Sequence, residues 1–306
     1  MNITGPEGLL MGVDDLDECR RFLTLYGLKE LEFGASGAAY EALDGSGVEL
    51  RLLGDDSLPP AAVPGPTLRA SIWGVEAAAD LDAIADELAK DRQVTRVDGM
   101  VQSTDDEGNV LRFRVSQRRA YEAPELARNV AGSAINRRNQ RVSFDEHGPA
   151  RQMGHVVYWS KDPKKAFGFY RDRLGFRETD SFRDNMGVFA RSAKHYDHHS
   201  LFLMRVPNPD MPTGFQHAEF TFGDAQDVFN GGYKLKNAGF ETAFGPGRFE
   251  LGSNWFWYFK TPMGGVLELG ADMDYADDAW KPGEYDHAGV TAGYHFIYNE
   301  QWSRQR

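Results

Sequence analysis

A chain of 306 residues, 41% hydrophobic and 26% charged, has an ordinary globular composition and is long enough for two domains. Its formal net charge of −12 excludes nucleic acid as a natural partner, because phosphate backbones demand a basic surface. A lone cysteine, Cys19, excludes an intrachain disulfide and a cysteine-built zinc site. It fits a reducing, cytoplasmic setting; no secretory leader is expected, and no run of about 18 apolar residues that would span a membrane occurs in the sequence.

The first predicted helix opens at Asp15, a good N-cap, carries Leu16, Cys19, Phe22 and Leu23 as its apolar stripe, and stops at Gly27. Strand-like alternation follows over 39–53, then a second helix over about 77–90 and further strands within 94–115. The segment 117–152, with Pro124, the cluster Arg137, Arg138 and Arg141, and Gly148-Pro149, reads as a connection. A third helix starts at Asp162-Pro163, buries Ala166, Phe169, Tyr170 and Leu174, and ends at Gly175. Strands over 187–204, a helix over 224–238 and strands over 244–270 complete the pattern. Four units of one strand, one helix and about three strands result, two before residue 118 and two after 152. Such a unit cannot bury its sheet face alone, so the units are expected to pair, two per domain. The expected division is 1–118, a connection 119–152, a second domain 153–275 and a tail 276–306.

Of eight histidines, two open short apolar runs: Gly154-His155-Val156 and Gln216-His217-Ala218. Strand alternation puts His155, Val157 and Trp159 on one face. Glu268 lies in the last strand of the fourth unit. Two imidazoles and one carboxylate meeting on a curved sheet leave coordination positions open, the arrangement of iron(II) oxygenase sites. The three are too far apart in sequence for a local motif. Residue types alone leave open that each is a hydrogen-bonded structural residue.

Longer stretches add a resemblance. Gly154-His155-Val156 with the helix ending Leu174-Gly175-Phe176, then Asp197-His198-His199-Ser200-Leu201, then Phe215-Gln216-His217, and above all the run from Gly252 through Tyr258 to Gly264 and on to Glu268 and Asp274 resemble the type I extradiol dioxygenases of the vicinal oxygen chelate superfamily, such as biphenyl-2,3-diol dioxygenases. The likeness covers most of the C-terminal half and keeps the family's order. It implies an α+β fold of paired βαβββ modules, four modules in two domains. It also implies a non-haem Fe(II), or Mn(II), held by His155, His217 and Glu268, and meta cleavage of a catechol-like substrate by O2. By the same resemblance His199 is the acid–base catalyst, with its neighbour His198 expected to point to the opposite strand face. Tyr258 hydrogen-bonds a substrate oxygen on the face it shares with Phe256. The N-terminal half resembles a degenerate copy, since the runs 9–13 and 68–72 lack histidine and Arg112 stands where the second half has Glu268.

One departure is Phe249, which follows Gly247-Arg248 where the family often has a histidine near ligand and substrate. It motivates an alternative, another metal-dependent enzyme of the superfamily such as a non-catechol oxygenase, lyase or isomerase. A third reading is a non-enzymatic binding protein, against which the full ligand set argues. An acidic substrate would call for Arg191 or Arg248 in the pocket. His147 and His195 are expected in solvated loops, while His287 and His295 belong to a tail that could close over the pocket. The family's habit predicts a homo-oligomer.

Overall fold

Helix ends form where local hydrogen bonding dictates. The Asp15 carboxylate accepts from the Glu18 amide to open α1 (Leu16–Tyr26), and Asp162 accepts from Lys165 to open α3 (Pro163–Leu174). Both helices close on a glycine in the left-handed region, Gly27 at φ 107° and Gly175 at φ 75°, where a side chain would be strained. The other two helices are α2 (Ala78–Leu88) and α4 (Ala225–Asn237). The computed structural model describes residues 1–61, 63–122, 127–133, 135–144, 146–286 and 293–296, and no helix among them is long and apolar enough to cross a membrane.

Each helix sits in a βαβββ module. The first holds β1 (Ile3–Val13), α1, β2 (Lys29–Phe33), β3 (Gly37–Glu41) and β4 (Gly47–Leu52). The second holds β5 (Thr67–Val75), α2, β6 (Thr95–Val97), β7 (Met100–Thr104) and β8 (Val110–Val115). The third holds β9 (Gln152–Ser160), α3, β10 (Arg177–Phe182), β11 (Gly187–Arg191) and β12 (Leu201–Arg205). The fourth holds β13 (Gly214–Thr221), α4, β14 (Thr242–Arg248), β15 (Trp255–Lys260) and β16 (Val266–Ala271). The α+β architecture of paired modules expected from the sequence is therefore present. The segment after residue 275 is not a featureless tail, for it contributes β17 (Gly283–Tyr285) and β18 (Tyr294–His295).

Modules pair into two sheets, ordered β2-β3-β4-β1-β5-β8-β7-β6 and β17-β10-β11-β12-β9-β13-β16-β15-β14-β18. In each module the first strand runs parallel to the last, and the two first strands meet antiparallel at the centre. This wiring makes β9, β13 and β16 immediate neighbours.

One apolar core runs through both halves. Tyr26 of α1, stacked on Phe22, meets Phe220 of β13 and Phe222 just past its end edge-on, and Trp73 of β5 meets Phe176 edge-on. Two buried polar contacts cross the same boundary. The Tyr170 hydroxyl donates to Asp105 at 2.7 Å, and the Tyr158 hydroxyl donates to Ser71 at 2.7 Å. Removing either partner would leave a buried polar group unmatched, at about 1–3 kcal/mol.

Candidate metal centre

His155, His217 and Glu268 come one each from β9, β13 and β16, on the same face of the sheet. Glu219 in β13 lies opposite His155 on one side and Glu268 on the other, which sets the register of the group. All three are buried. His155 Nε2 stands 3.0 Å from His217 Nε2, and the Glu268 Oε2 atom stands 3.1 Å from the first and 3.3 Å from the second. Three donors each about 2.1 Å from one ion and at right angles stand about 3.0 Å apart, so this triangle fits one face of an octahedral ion. The group fits a metal site by its protonation as well. Burial pushes His217 down to about 4, so its imidazole is neutral. Burial alone would raise the Glu268 carboxyl, but the two imidazoles facing it outweigh that and hold it down at about 2. Neutral imidazole and ionised carboxylate are the forms that bind metals.

Neighbours fix the ligand orientations. Asn254 Nδ2 donates to Glu268 Oε1 at 2.9 Å, leaving Oε2 to the histidines, and Gln216 Oε1 meets His217 Nδ1. The Tyr26 hydroxyl of the first half donates to the backbone carbonyl of Glu268. Glu219 Oε2 lies 3.8 Å from His155 Nδ1, and burial raises its carboxyl well above the usual range. None of these partners was anticipated. Asn254 and Gln216 lay inside quoted motifs, but only the fold turns them toward the ligands.

The triad opens into a cavity of about 370 Å³ with mostly apolar walls, including Phe182, Met186, Phe189, Phe202 and Met204. His199 and Tyr258 both line it. The His199 ring lies 4.3 Å from that of His155, and burial pushes it well below the usual histidine range, aided by the neighbouring imidazoles. Tyr258 stands opposite Glu268 in register, with its ring 5.0 Å from that of His217. Burial, then the Glu268 carboxylate, raise its phenol well above the ordinary value. Phe249 lines the same cavity and stacks on Phe256 at 4.0 Å.

Several expectations need correction. His198 does not point to the opposite strand face. β12 begins only at Leu201, so strand alternation does not govern residues 192–200, and the His198 and His199 rings lie 5.3 Å apart. His195 is not solvated but 5% exposed. Its loop folds against β1, where the Lys194 amide donates to the Ile3 carbonyl and a side chain at Gly5 would meet the His195 ring at 2.8 Å. His147 is half-buried, with its ring nitrogens at the carbonyls of Gly148 and Leu25. Neither Arg191, whose Nη2 donates to the Asp277 carbonyl, nor Arg248, paired with Asp272, lines the cavity. His287 lies outside the described residues. His295 packs 4.8 Å from Phe244 at the cavity wall.

Residues 152–269 match the model of the Glyoxalase/Bleomycin resistance protein/Dioxygenase superfamily. Metapyrocatechase 2 of Cupriavidus necator is 30% identical over 189 residues, covering 59% of this chain. The chain spans only 56% of that protein's length. An iron-dependent extradiol dioxygenase of Rhodococcus jostii (strain RHA1) is 27% identical over 266 residues, covering 77% of this chain and 82% of that protein. The crystal structure of the Mn(II)-bound glyoxalase from Novosphingobium aromaticivorans superposes with a TM-score of 0.72 at 21% identity, covering 94% of this chain and 89% of that one, and shares the fold.

Proposed function

We propose that this chain, whose residues 152–269 match the model of the Glyoxalase/Bleomycin resistance protein/Dioxygenase superfamily, is an extradiol dioxygenase: it inserts both atoms of O2 into a catechol and opens the ring beside the hydroxyls. The observation that carries the reading is the triangle of His155, His217 and Glu268 facing an apolar cavity that also presents His199 and Tyr258. Those three residues would hold Fe(II), with Mn(II) accommodated by the same nitrogen and oxygen donors. The ion would supply adjacent positions for the two substrate oxygens and for O2 and a path for electron density between them.

The chain's own residues account for the rest. His199, neutral and buried beside the ligands, accepts a proton from a substrate hydroxyl and later returns it, work suited to an imidazole. Tyr258, kept protonated by burial and by Glu268, donates a hydrogen bond to a substrate oxygen. The aromatic walls exclude water and sandwich a flat ring. Among the described residues no lysine or arginine lines the cavity, and its mostly apolar walls favour a catechol with an uncharged, apolar substituent.

Anaerobically purified protein loaded with Fe(II) is expected to consume one O2 per aryl- or alkyl-substituted catechol and to form a yellow ring-opened product. Stoichiometric metal binding without oxygen uptake on any catechol would overturn the assignment.

A further inference from the structure

Behind His199 lies a buried polar chain that the reaction as described above does not use. Asp180 of β10 sits 2.8 Å, through Oδ2, from His198 Nε2, and His198 Nδ1 sits 3.0 Å from His199 Nδ1. Exposure is 2% at Asp180, 0% at His198 and 5% at His199, so no bulk water competes for these contacts. The second carboxylate oxygen is also engaged, because the Gly283 amide donates to Asp180 Oδ1 at 2.7 Å. That donor belongs to β17, which lies parallel to β10 with Gly283 beside Asp180. Trp280, anchored by its indole N–H on the Thr179 carbonyl, closes edge-on over the His198 ring, and Phe189 packs against both imidazoles.

We propose that Asp180 and His198 are positioning residues, which lock the tautomer and the orientation of His199 and leave its Nε2 lone pair facing the substrate. The logic is donor counting. A carboxylate can only accept, so the hydrogen of the Asp180–His198 contact is on His198 Nε2. With His198 as a neutral imidazole, whose single N–H is then on Nε2, its Nδ1 is a bare acceptor. The 3.0 Å contact between the two Nδ1 atoms is then a hydrogen bond donated by His199. With its only N–H committed there, His199 keeps Nε2 vacant on the cavity side, and the proton leaving a substrate hydroxyl has one nitrogen to go to. The same segment that adds β17 thereby acquires a role, for its Gly283 amide and Trp280 hold the chain's outer end in place.

This inference rests on His199 being the acid–base group, and the test separates the two. Long-range proton–nitrogen correlation on the full-length, zinc-loaded, nitrogen-15-labelled protein reads the His199 tautomer directly, without activity. The expected result is the proton on Nδ1; a proton on Nε2, as an imidazolium at His198 would impose, overturns the proposal. Asp180→Asn, whose amide can donate to His198 Nε2 and so reverse both tautomers, is expected to lower kcat about a hundredfold or more with KM within about twofold and metal content unchanged. His198→Asn, whose amide oxygen can still accept from Nδ1, is expected to retain clearly more kcat than His198→Leu. Wild-type kcat in Asp180→Asn while His199→Ala is inactive would sink the positioning role alone. Full activity in His199→Ala would sink the reading beneath it. If His198→Leu fails to fold, the wild-type tautomer still decides.

Discussion

In the first sheet β1, β5 and β8 occupy the places that β9, β13 and β16 hold in the second, with the same parallel and antiparallel pairings. Registers can therefore be compared position by position. Gly8 lies opposite Ile72, which lies opposite Arg112, just as His155 lies opposite Glu219 and Glu219 opposite Glu268. Ala70 falls two places before Ile72, as His217 does before Glu219. Gly8, Ala70 and Arg112 thus stand where His155, His217 and Glu268 stand. The backbone is indifferent to this exchange, and the chemistry depends on it entirely. A buried Glu268 is balanced by two imidazoles, whereas buried Arg112 has a Gln102 oxygen at Nε and no carboxylate within 4.0 Å among the described residues. The loops differ too. The link 42–46 between β3 and β4 is short and closed by Asp44 on Ser46, while its counterpart 192–200 is longer and carries His195, His198 and His199. One sheet keeps the backbone without the ligand set, and the other carries the candidate site.

The harshest way to break the comparison is to make the second sheet like the first. Glu268→Arg would place a cation between two imidazoles, and metal content is expected to fall from one ion per chain to near zero, with activity lost. Glu268→Gln keeps the shape and removes the charge. It is expected to weaken metal affinity by more than the roughly 10–100-fold typical of a lost outer partner. Metal analysis after dialysis reads both, and a full equivalent in Glu268→Gln would refute the ligand assignment.

Next comes the loop. His199→Asn leaves the triad intact, so metal content should hold while kcat drops by about 10²–10⁴, the usual worth of a positioned acid–base group. Loss of metal together with activity would instead make His199 part of the ion's seat.

How much of this was legible beforehand follows from the range of the forces involved. The caps at Asp15 and Asp162 act within three residues, so the helices could be read locally, and four helix–strand repeats are a one-dimensional signal. His155, His217 and Glu268 were legible because polar residues inside apolar strand runs are conspicuous and the surrounding motifs resemble a known family. Asn254, Gln216 and Asp180 were not, because an amide or carboxylate gains its meaning only from what another strand brings beside it. Strand alternation misplaced His198 for a related reason: the strand starts later than the apolar pattern suggests. His195 looked like any polar loop residue, and only the approach of β1 at Gly5 buries it.

That burial makes the join between the two sheets sensitive to acid. His195 is pushed down to about 4 from an ordinary 6.5, burial being the main cause. Below pH 6.5 the unfolded chain takes up a proton at this residue and the folded chain does not until about 4. The stability from its neutral burial is complete above 6.5 and is lost as pH falls toward 4, a loss of roughly 3 kcal/mol by linkage. Urea unfolding at pH 7.5 and 4.5 should show a smaller acid loss in His195→Gln than in the wild type. An equal loss in both would assign the acid sensitivity elsewhere.

The smallest effect is expected at Phe249, where the cavity wall departs from the resembled family. Phe249 stacks on Phe256 in the cavity wall, so its contribution is contact area for an apolar substituent. Phe249→His would keep a flat ring there while adding a polar nitrogen whose burial costs about 1–3 kcal/mol unless matched. With the triad, His199 and Tyr258 untouched, kcat should stay within about tenfold, and the change should fall on KM, weakening apolar catechols relative to those with a polar substituent. A large gain in kcat with KM unchanged would mean that a histidine at this place serves the chemistry itself, and that Phe249 marks a slower enzyme rather than one fitted to an apolar substrate.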